Sequence, residues 1–599
     1  MSIVTLKGQN SEQRGYALIL TLMLIVLLMG LLAAYSSISN LEMATTKYSK
    51  ANSSGFFAAE AGLNIRAEAI RSVFVGFNRP TGTSPAATAP CTGSNNGTGE
   101  FICRNYTFNN RNVVTYVEED ASNPVILTIP PGERYQYLNA QEYRYTVTSL
   151  SKKSTATEAD LGLRFKTRLV PLFQFAAFYN KDLEILPGPT MTLSGPVHTN
   201  GNLYLYSSSA TLTISGQVTA AGDIYRGRKD GSITPSCNNQ QVYVYDPAAA
   251  RSLIPSCSSR RLVSANDVTA WNGMIQQNVQ PLTVPGPEIF DPNTGSIYWD
   301  RADLRLALVL NSSGSVVGVQ VKNVDGSNNT SASTTLNACS GVVSSRAVGT
   351  TTIWNFREDA SIRLLDVDLL GTLNCLRSSN WFGTGKLISD TTDGGLVFHL
   401  TVSGPNSTAR PNTYGVRIRN AQRVYSSQSG APAVRGLTVV SDQAAYIMGD
   451  FNSTNKIPVA VMSDSLNILS NAWNDANSSA AISSRVASST TINAAFLAGT
   501  DVTGGNEGAS GHGGVYNGGL ENFPRLHENW SGRNLIYRGS FVSLGTPRRV
   551  DGAWGAQSYD PPNRDWNYDT SFNNAANLPP ITPRFVYLRQ ELFVRDFDG

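Results

Sequence analysis

The chain has 599 residues, 15% of them charged, and a formal net charge of +3. That length exceeds one domain of ordinary size, and so small a charge over it gives no ground by itself for nucleic-acid binding. Charged residues fall below the roughly one quarter usual in globular domains. Gly, Ser, Thr and Asn take their place, which is the profile of an extracellular protein of strands and turns.

The first element is an apolar run. A polar leader with Lys7 and Arg14 ends at Gly15, and Tyr16 to Leu41 then carries no charge until Glu42. Twenty such residues, at about 1.5 Å each, span roughly 30 Å, the thickness of a bilayer core. Three readings of this stretch stay open: a secretory signal, a plain signal anchor, and a cleaved prepilin-type leader. The phrase Gln13-Arg14-Gly15-Tyr16-Ala17-Leu18-Ile19-Leu20 closely resembles the start of type IV prepilins. The resemblance implies a cut by prepilin peptidase between Gly15 and Tyr16, with Tyr16 as a new, N-methylated first residue. Major pilins carry a Glu at mature position five, where this chain has Leu20. A charge in a membrane helix is expensive unless paired, so its absence implies a minor subunit at or near a fibre tip.

The helical pattern continues beyond the apolar run. Phe56, Ala59, Leu63, Ala67, Ile70, Phe74 and Phe77 recur at steps of three or four, one face of an amphipathic helix. Phe56-Phe57-Ala58-Ala59-Glu60-Ala61-Gly62-Leu63 resembles the hallmark that follows the apolar segment in PilX-like minor pilins. Small residues there allow close helix packing, and Glu60 reads as a surface or interhelix contact. Asn78-Arg79-Pro80 ends the helix, and a Gly/Ser/Thr/Ala/Pro loop follows to Gly99.

Strand-like runs come next at Cys103–Phe108, Asn112–Val117, Val125–Ile129, Tyr143–Thr148 and Leu161–Val170. They are expected to form an antiparallel sheet packed on the helix face. The last apolar run, Arg584–Val594, is expected to return to that sheet, making the intervening chain an insertion. The cysteines Cys91, Cys103, Cys237, Cys257, Cys339 and Cys375 form three sequence-local pairs separated by 12, 20 and 36 residues. Six cysteines allow fifteen pairings; local disulfides in an oxidising compartment are expected, with free buried thiols as the alternative. No Cys/His spacing suits zinc.

The insertion opens with an internal repeat. Thr192-Leu-Ser-Gly-Pro-Val-His-Thr-Asn-Gly-Asn-Leu-Tyr204 aligns with Thr213-Ile-Ser-Gly-Gln-Val-Thr-Ala-Ala-Gly-Asp-Ile-Tyr225 at an offset of 21. Leu437–Asp442 aligns with Val459–Asp464 at an offset of 22, and Ile492–Gly499 reads as a third copy. About twenty residues per unit suits a β-solenoid, in which each coil buries its apolar residues against its neighbours. Further strands with Gly turns are expected within Ser296–Asn323, Thr352–Cys375 and Gly394–Ile418.

Catalytic signals are weak. His198, His399, His512 and His527 share no metal or triad spacing, and His198 aligns with Thr219, which suggests a turn or surface residue. Gly508–Gly514 lacks the ending of a phosphate loop. Asp442 and Asp464 align on successive repeats with Asp450 between them. They could serve a carbohydrate-active enzyme, although such residues more often cap turns. Basic residues interleave with aromatics in two places: Tyr225, Arg226, Arg228, Lys229, Arg260 and Arg261; and Arg533, Tyr537, Arg538, Arg548, Arg549, Trp554, Arg564, Trp566 and Tyr568. Arg and Lys can neutralise phosphates and exposed rings can stack on bases. Arg226, Arg228, Lys229, Arg538, Arg548, Arg549 and Arg564 are therefore the candidate DNA contacts.

Segments such as Gly449-Asp-Phe-Asn452, Tyr516–Arg525 and Tyr559–Tyr568 resemble the C-terminal part of large minor pilins of the ComZ-like type, which join a PilX-like N-terminus to a β-solenoid. The expected fold is an α+β pilin module, a long N-terminal helix plus antiparallel sheet, with a large inserted all-β, β-solenoid domain. Its parts are a leader (1–15), a stem helix (16–79), a head sheet (80–178), the insertion (179–580) and a returning strand (581–599). The resemblance implies a non-enzymatic pilus-tip subunit without cofactor, held first in the inner membrane. It implies other pilins as partners and DNA as ligand in natural transformation. Adhesion with twitching motility and a surface-anchored carbohydrate-active enzyme are the rival readings.

Overall fold

A computed structural model describes residues 13–74, 79–154, 156–207, 210–230, 241–246, 249–254, 257, 259–339, 348–377, 387–500, 502–503, 515–552 and 558–596. Phe77, Cys237, His512, Trp554 and the Gly508–Gly514 loop lie outside these, as does the leader before Gln13.

One helix, Gln13–Val73, runs for 61 residues, about 90 Å at 1.5 Å per residue. No proline interrupts it. It is long and apolar enough to cross a membrane, and the apolar side chains of its first half, from Tyr16 to Tyr48, are exposed. Its second half is buried on one face: Ala59, Leu63, Ile70 and Phe74 pack with Val117, Tyr145, Val147, Leu161 and Phe165. Small residues set the distance of approach. A Cβ on Gly62 would lie 2.6 Å from Cγ1 of Val113. Two polar ties fix the register. Ser149 Oγ donates to the carbonyl of Ala59 at 2.7 Å, and the buried Arg66 guanidinium donates to the carbonyls of Glu100 and Ile102.

The sheet under the helix is antiparallel, in the order Arg104–Phe108, Arg111–Glu119, Asn139–Lys153, Ala156–Pro171, Arg584–Asp596. Val125–Thr128 also pairs with Asn139–Lys153. The final strand therefore lies beside Ala156–Pro171 although more than 400 residues separate them. Buried and half-exposed residues alternate along Arg111–Glu119, as expected for a sheet with one covered face. Cys91 and Cys103 are disulfide-bonded just ahead of the first strand.

Beyond the head, most strands pair in parallel with the next unit of chain. Thr192 faces Thr213, Val197 faces Val218 and Tyr204 faces Tyr225, so the repeat offset of 21 is also the sheet register. Leu437 faces Val459 at the offset of 22, and Ala460 faces Ala495. Inward Val, Leu and Ile side chains from these strands merge into one apolar core that also takes in Ile129, Tyr135 and Leu138 of the head. The strand Ala177–Tyr179, which straddles the expected boundary between head and insertion, already belongs to the stack: it pairs on one side with Val197–Thr199 and on the other with Phe541–Ser543. Chain order and stacking order thus differ. The stack reads, by starting residue, 275, 218, 197, 177, 541, 495, 459, 437, 396, 304. The head joins it in the middle.

At the far end the pattern changes to antiparallel hairpins, Leu304–Leu310 with Val316–Val321 and Val348–Asn355 with Ala360–Asp368. Part of the stretch expected as strand, Leu369–Leu376, is a helix. Asp368 accepts from the Gly371 N–H at 2.8 Å as its cap, and Leu369, Leu373 and Leu376 share the buried face. The Cys339–Cys375 disulfide ties this helix to Thr330–Ala338. Cys257 is also disulfide-bonded.

The helix–sheet contact yields a test. Gly62→Leu forces a side chain into Val113 and Ser149 and should cost about 1–3 kcal/mol, read as a lower thermal midpoint. Gly30→Leu, where nothing lies within 4 Å, should leave the midpoint unchanged.

Candidate functional site

The described surface combines the exposed apolar stem with two basic regions on the stack. The first centres on the parallel strands Leu203–Leu205 and Ile224–Arg226. The one-coil register puts Tyr204 and Tyr225 in a stack, ring centres 5.1 Å apart and 10° from coplanar, with Arg260 lying 5.9 and 5.5 Å over the two rings. Arg260 and Arg261 are exposed, and Arg261 donates to Asp267 at 2.8 Å. Beside them, Lys181 and Lys229 stand over the Tyr516 ring at 5.3 and 5.2 Å.

The candidate DNA contacts of this region fare unequally. Arg226 is fully buried and donates to the carbonyls of Leu253 (2.8 Å) and Leu205 (2.7 Å). Burial pushes its guanidinium down to about 10. It is a core tie between coils and cannot reach a phosphate. The pleat decides this, because residues on alternate sides of Tyr225 face the interior. Arg228 is part-exposed and pairs with Asp230 at 3.4 Å. Lys229 is held by the Tyr516 and Asn517 carbonyls at 3.0 and 3.2 Å and by Asp182 at 3.3 Å.

The second region dissolves into structural contacts. Arg548 forks onto Asp291 (2.7 and 3.2 Å) and donates to the Pro287 carbonyl, and Arg549 is buried and donates to the Thr408 carbonyl. Their backbone N–H groups both donate to Asp464, at 2.6 and 2.8 Å. The pair therefore clamps its loop, and the crossing segment that carries Asp291, onto the stack. Arg538 pairs with Asp565 on the adjacent strand at 2.9 Å, and Arg564 lies half-buried over Trp566 at 5.4 Å. Tyr537, Trp566 and Tyr568 are buried, the first two against Phe541, and offer no face to a base. Arg533 is exposed.

The carboxylates are built into the stack as well. Asp442 accepts from Thr401 Oγ and Gln443 Nε2, both at 2.6 Å, and Asp450 accepts from the Thr491 N–H at 2.8 Å and from Asn471. Burial pushes Asp442 and Asp464 up to about 6. His198 is a buried residue, against the expectation of a surface position. Phe178 stacks on it at 5.2 Å, Tyr135 of the head covers it, and Thr219 of the next coil bonds it at 2.7 Å. Burial holds it neutral, down to about 4. His399 and His527 are also buried and bonded, to the Phe290 carbonyl and to Asn467. Among the described residues no group of three His, Cys, Asp or Glu could hold a metal ion. Gly15 and Tyr16 lie in the first turns of the long helix, with Tyr16 exposed, and Leu20 faces outward one turn later.

No protein-family model matches the chain, and no curated protein matches it. Among solved structures it is similar to the competence-associated pilin ComZ from Thermus thermophilus. The identity is 14%, the match covers 90% of this chain and 96% of that one, and the TM-score is 0.24. That superposition is too low to carry a shared fold.

The carboxylates give a pH prediction. A carboxyl whose folded value lies above its unfolded one contributes stability that is complete below the unfolded value, near 3.8, and lost as pH rises through about 6. For Asp442 the swing is at most about 3 kcal/mol. Wild type minus Asp442→Asn stability, from denaturant titrations, should therefore fall between pH 4 and pH 7; a flat difference would contradict this assignment.

Proposed function

We propose that this chain is a minor pilin of a type IV pilus that works by assembly and presentation rather than catalysis. One observation carries the reading. A single 61-residue helix is exposed and apolar over its first half and packed into the head sheet over its second. An apolar helix with no partner in its own chain needs either a bilayer or the like helices of other subunits. A pilin passes from one to the other. The leader ending at Gly15 and the new first residue Tyr16 fit that route, and Leu20 in place of an acid fits an end position in the fibre. Parallel pairs one repeat apart, Thr192 with Thr213 and Leu437 with Val459, fit a β-solenoid inserted in the head and displayed beyond the tip, with longer units between other pairs such as Ala460 with Ala495 and Phe496 with Phe541.

DNA captured in natural transformation is our first choice of ligand. The face that supports it is the Tyr204–Tyr225 stack with Arg260 and Arg261: both cations are exposed, Arg261 while also pairing with Asp267, and Tyr225 is half-exposed beside the buried Tyr204. A tip adhesin is the second reading. It is favoured by the pairing of Arg538, Arg548 and Arg549 with acids, which removes phosphate-binding capacity.

Two measurements test this. Intact mass and N-terminal sequencing of protein from cells should give Tyr16 carrying one added methyl; a retained leader would leave a plain anchor. Fluorescence anisotropy with DNA at several salt concentrations should show salt-sensitive binding. Replacing Arg260 and Arg261 by Ala should lower the slope of log K against log salt by about 1.8. Unchanged binding in that double variant would favour the adhesin.

A further inference from the structure

A cavity of about 680 Å³ opens where the head meets the stack. On the head side it is lined by Ile126, residues 139–141 and Arg584, and on the stack side by Arg435 and parts of 391–394 and 574–582. Its volume falls within the roughly 300–1,000 Å³ of sites that hold a small organic ligand. It shares no residue with the Tyr204–Tyr225 face.

Both walls present donors. Arg584 opens the returning strand opposite Pro171 and donates to Gln141 Oε1, two strands away. Both residues are part-exposed, and neither Nη2 of Arg584 nor Nε2 of Gln141 has a partner among the described residues or is closed off from solvent. On the opposite wall Arg435 and Asn574 meet at Ala576. Arg435 donates to its carbonyl at 3.3 Å, and Asn574 Oδ1 accepts from its N–H at 3.0 Å. Arg435 and Asn574 are exposed, and Nδ2 of Asn574 makes no bond among the described residues.

The charges do not cancel. Neither arginine pairs with a carboxylate among the described residues, and burial without an acid beside it pushes the Arg584 guanidinium down. Asp393 also lines the cavity, but Arg301 from outside it engages that carboxylate. Partly buried cations are ordinarily paired, and the free polar atoms of these four side chains are donors. They call for an anion with several acceptor oxygens. A carboxylate has two oxygens and one charge. A phosphate monoester has three terminal oxygens and a charge of about −1.5 to −2, which suits two guanidiniums. Ile126, Leu578 and Pro579 give apolar wall for the body that carries it.

We propose that this cavity binds a phosphate monoester on a small organic body, the phosphoryl group lying between Arg584 with Gln141 on the head and Arg435 with Asn574 on the stack. The ester is either a free phosphorylated metabolite or the 5′-phosphate end of a nucleic-acid strand. The site depends on neither the pilin reading nor DNA capture at the tyrosine face.

The test is calorimetry on the full chain in detergent, with inorganic phosphate, phenyl phosphate, glucose 6-phosphate, AMP, benzoate, and trithymidylate with and without a 5′-phosphate. At least one ester should bind saturably at one site with Kd about 0.1 mM, and about tenfold more tightly than inorganic phosphate. AMP binding at least as tightly as the phosphorylated trinucleotide identifies the free ester as the source; tighter binding of the trinucleotide, lost without its 5′-phosphate, identifies the strand end. Arg435→Glu, at an exposed position, should weaken binding at least about tenfold at an unchanged thermal midpoint. Arg533→Glu, the same charge reversal at an exposed position outside the cavity, should leave it unchanged. Absence of saturable binding by every ester overturns the proposal. So does binding that survives Arg435→Glu, an equal loss in Arg533→Glu, or benzoate binding as tightly as phenyl phosphate.

Discussion

The pairing of Ala177–Tyr179 with Phe541–Ser543 holds this molecule together. Ala177–Tyr179 is the first strand of the stack in chain order, and Phe541–Ser543 comes late, followed by Asn563–Tyr568 beside Asn534–Gly539. Around the pair, the Phe541 N–H donates to the Ala176 carbonyl at 3.1 Å, the Asn180 N–H to Ser543 at 2.9 Å, and Ser540 Oγ to Phe175 at 2.6 Å. Two further links reinforce it: Leu186 N–H to Glu521 and Ser194 N–H to Asn567. Without this joint the coils after Ala177 and those before Phe541 would each end in an open, unpaired edge. Its cost is the closure of a loop of more than 360 residues, which grows only slowly with length but delays the contact in folding.

The head depends on the same joint. Leu172 N–H donates to Pro583, so the strands Ala156–Pro171 and Arg584–Asp596 run into the stack as a pair. Tyr135 fills the junction, among Phe175, His198, Phe585 and Tyr587. Head and stack therefore share one apolar core. A helix fixed in the head is thereby held in one orientation to the stack.

The crossing segment from Ile275 to Leu304 is the consequence of entering in the middle. After the coils on one side are complete, the chain must travel past the head, where Thr283 bridges Val586, to begin again at the far end. Arg548 and Asp464 secure it on the way. These residues read in the sequence as a basic pair in an aromatic neighbourhood, and the physical demand they answer is the fastening of a long connection. That leaves Arg260, Arg261 and Arg533 as exposed basic residues of the two groups.

Much of the architecture was legible from residue order alone. The stem is written in an apolar run followed by Phe56, Ala59, Leu63, Ala67, Ile70 and Phe74 at helical spacing. The register is written in the repeats where successive units are equal in length, so that Thr192 meets Thr213 and Leu437 meets Val459, whereas the expected third copy lies across a longer unit, with Ala460 facing Ala495. The candidate site was legible only in part. Whether an arginine faces solvent depends on which side of a short strand it falls and on which distant acid lies opposite. Arg226 is buried by the pleat, Arg548 is engaged by Asp291 from another part of the chain, and His198 is buried by a loop of the head. Local patterning determined the helix, the strands and the offset between coils, since these follow from side-chain periodicity and unit length. The order of coils in the stack, the point where the head joins and the pairing of the charges were decided by tertiary structure, because each rests on contacts between residues that only the closed fold brings together.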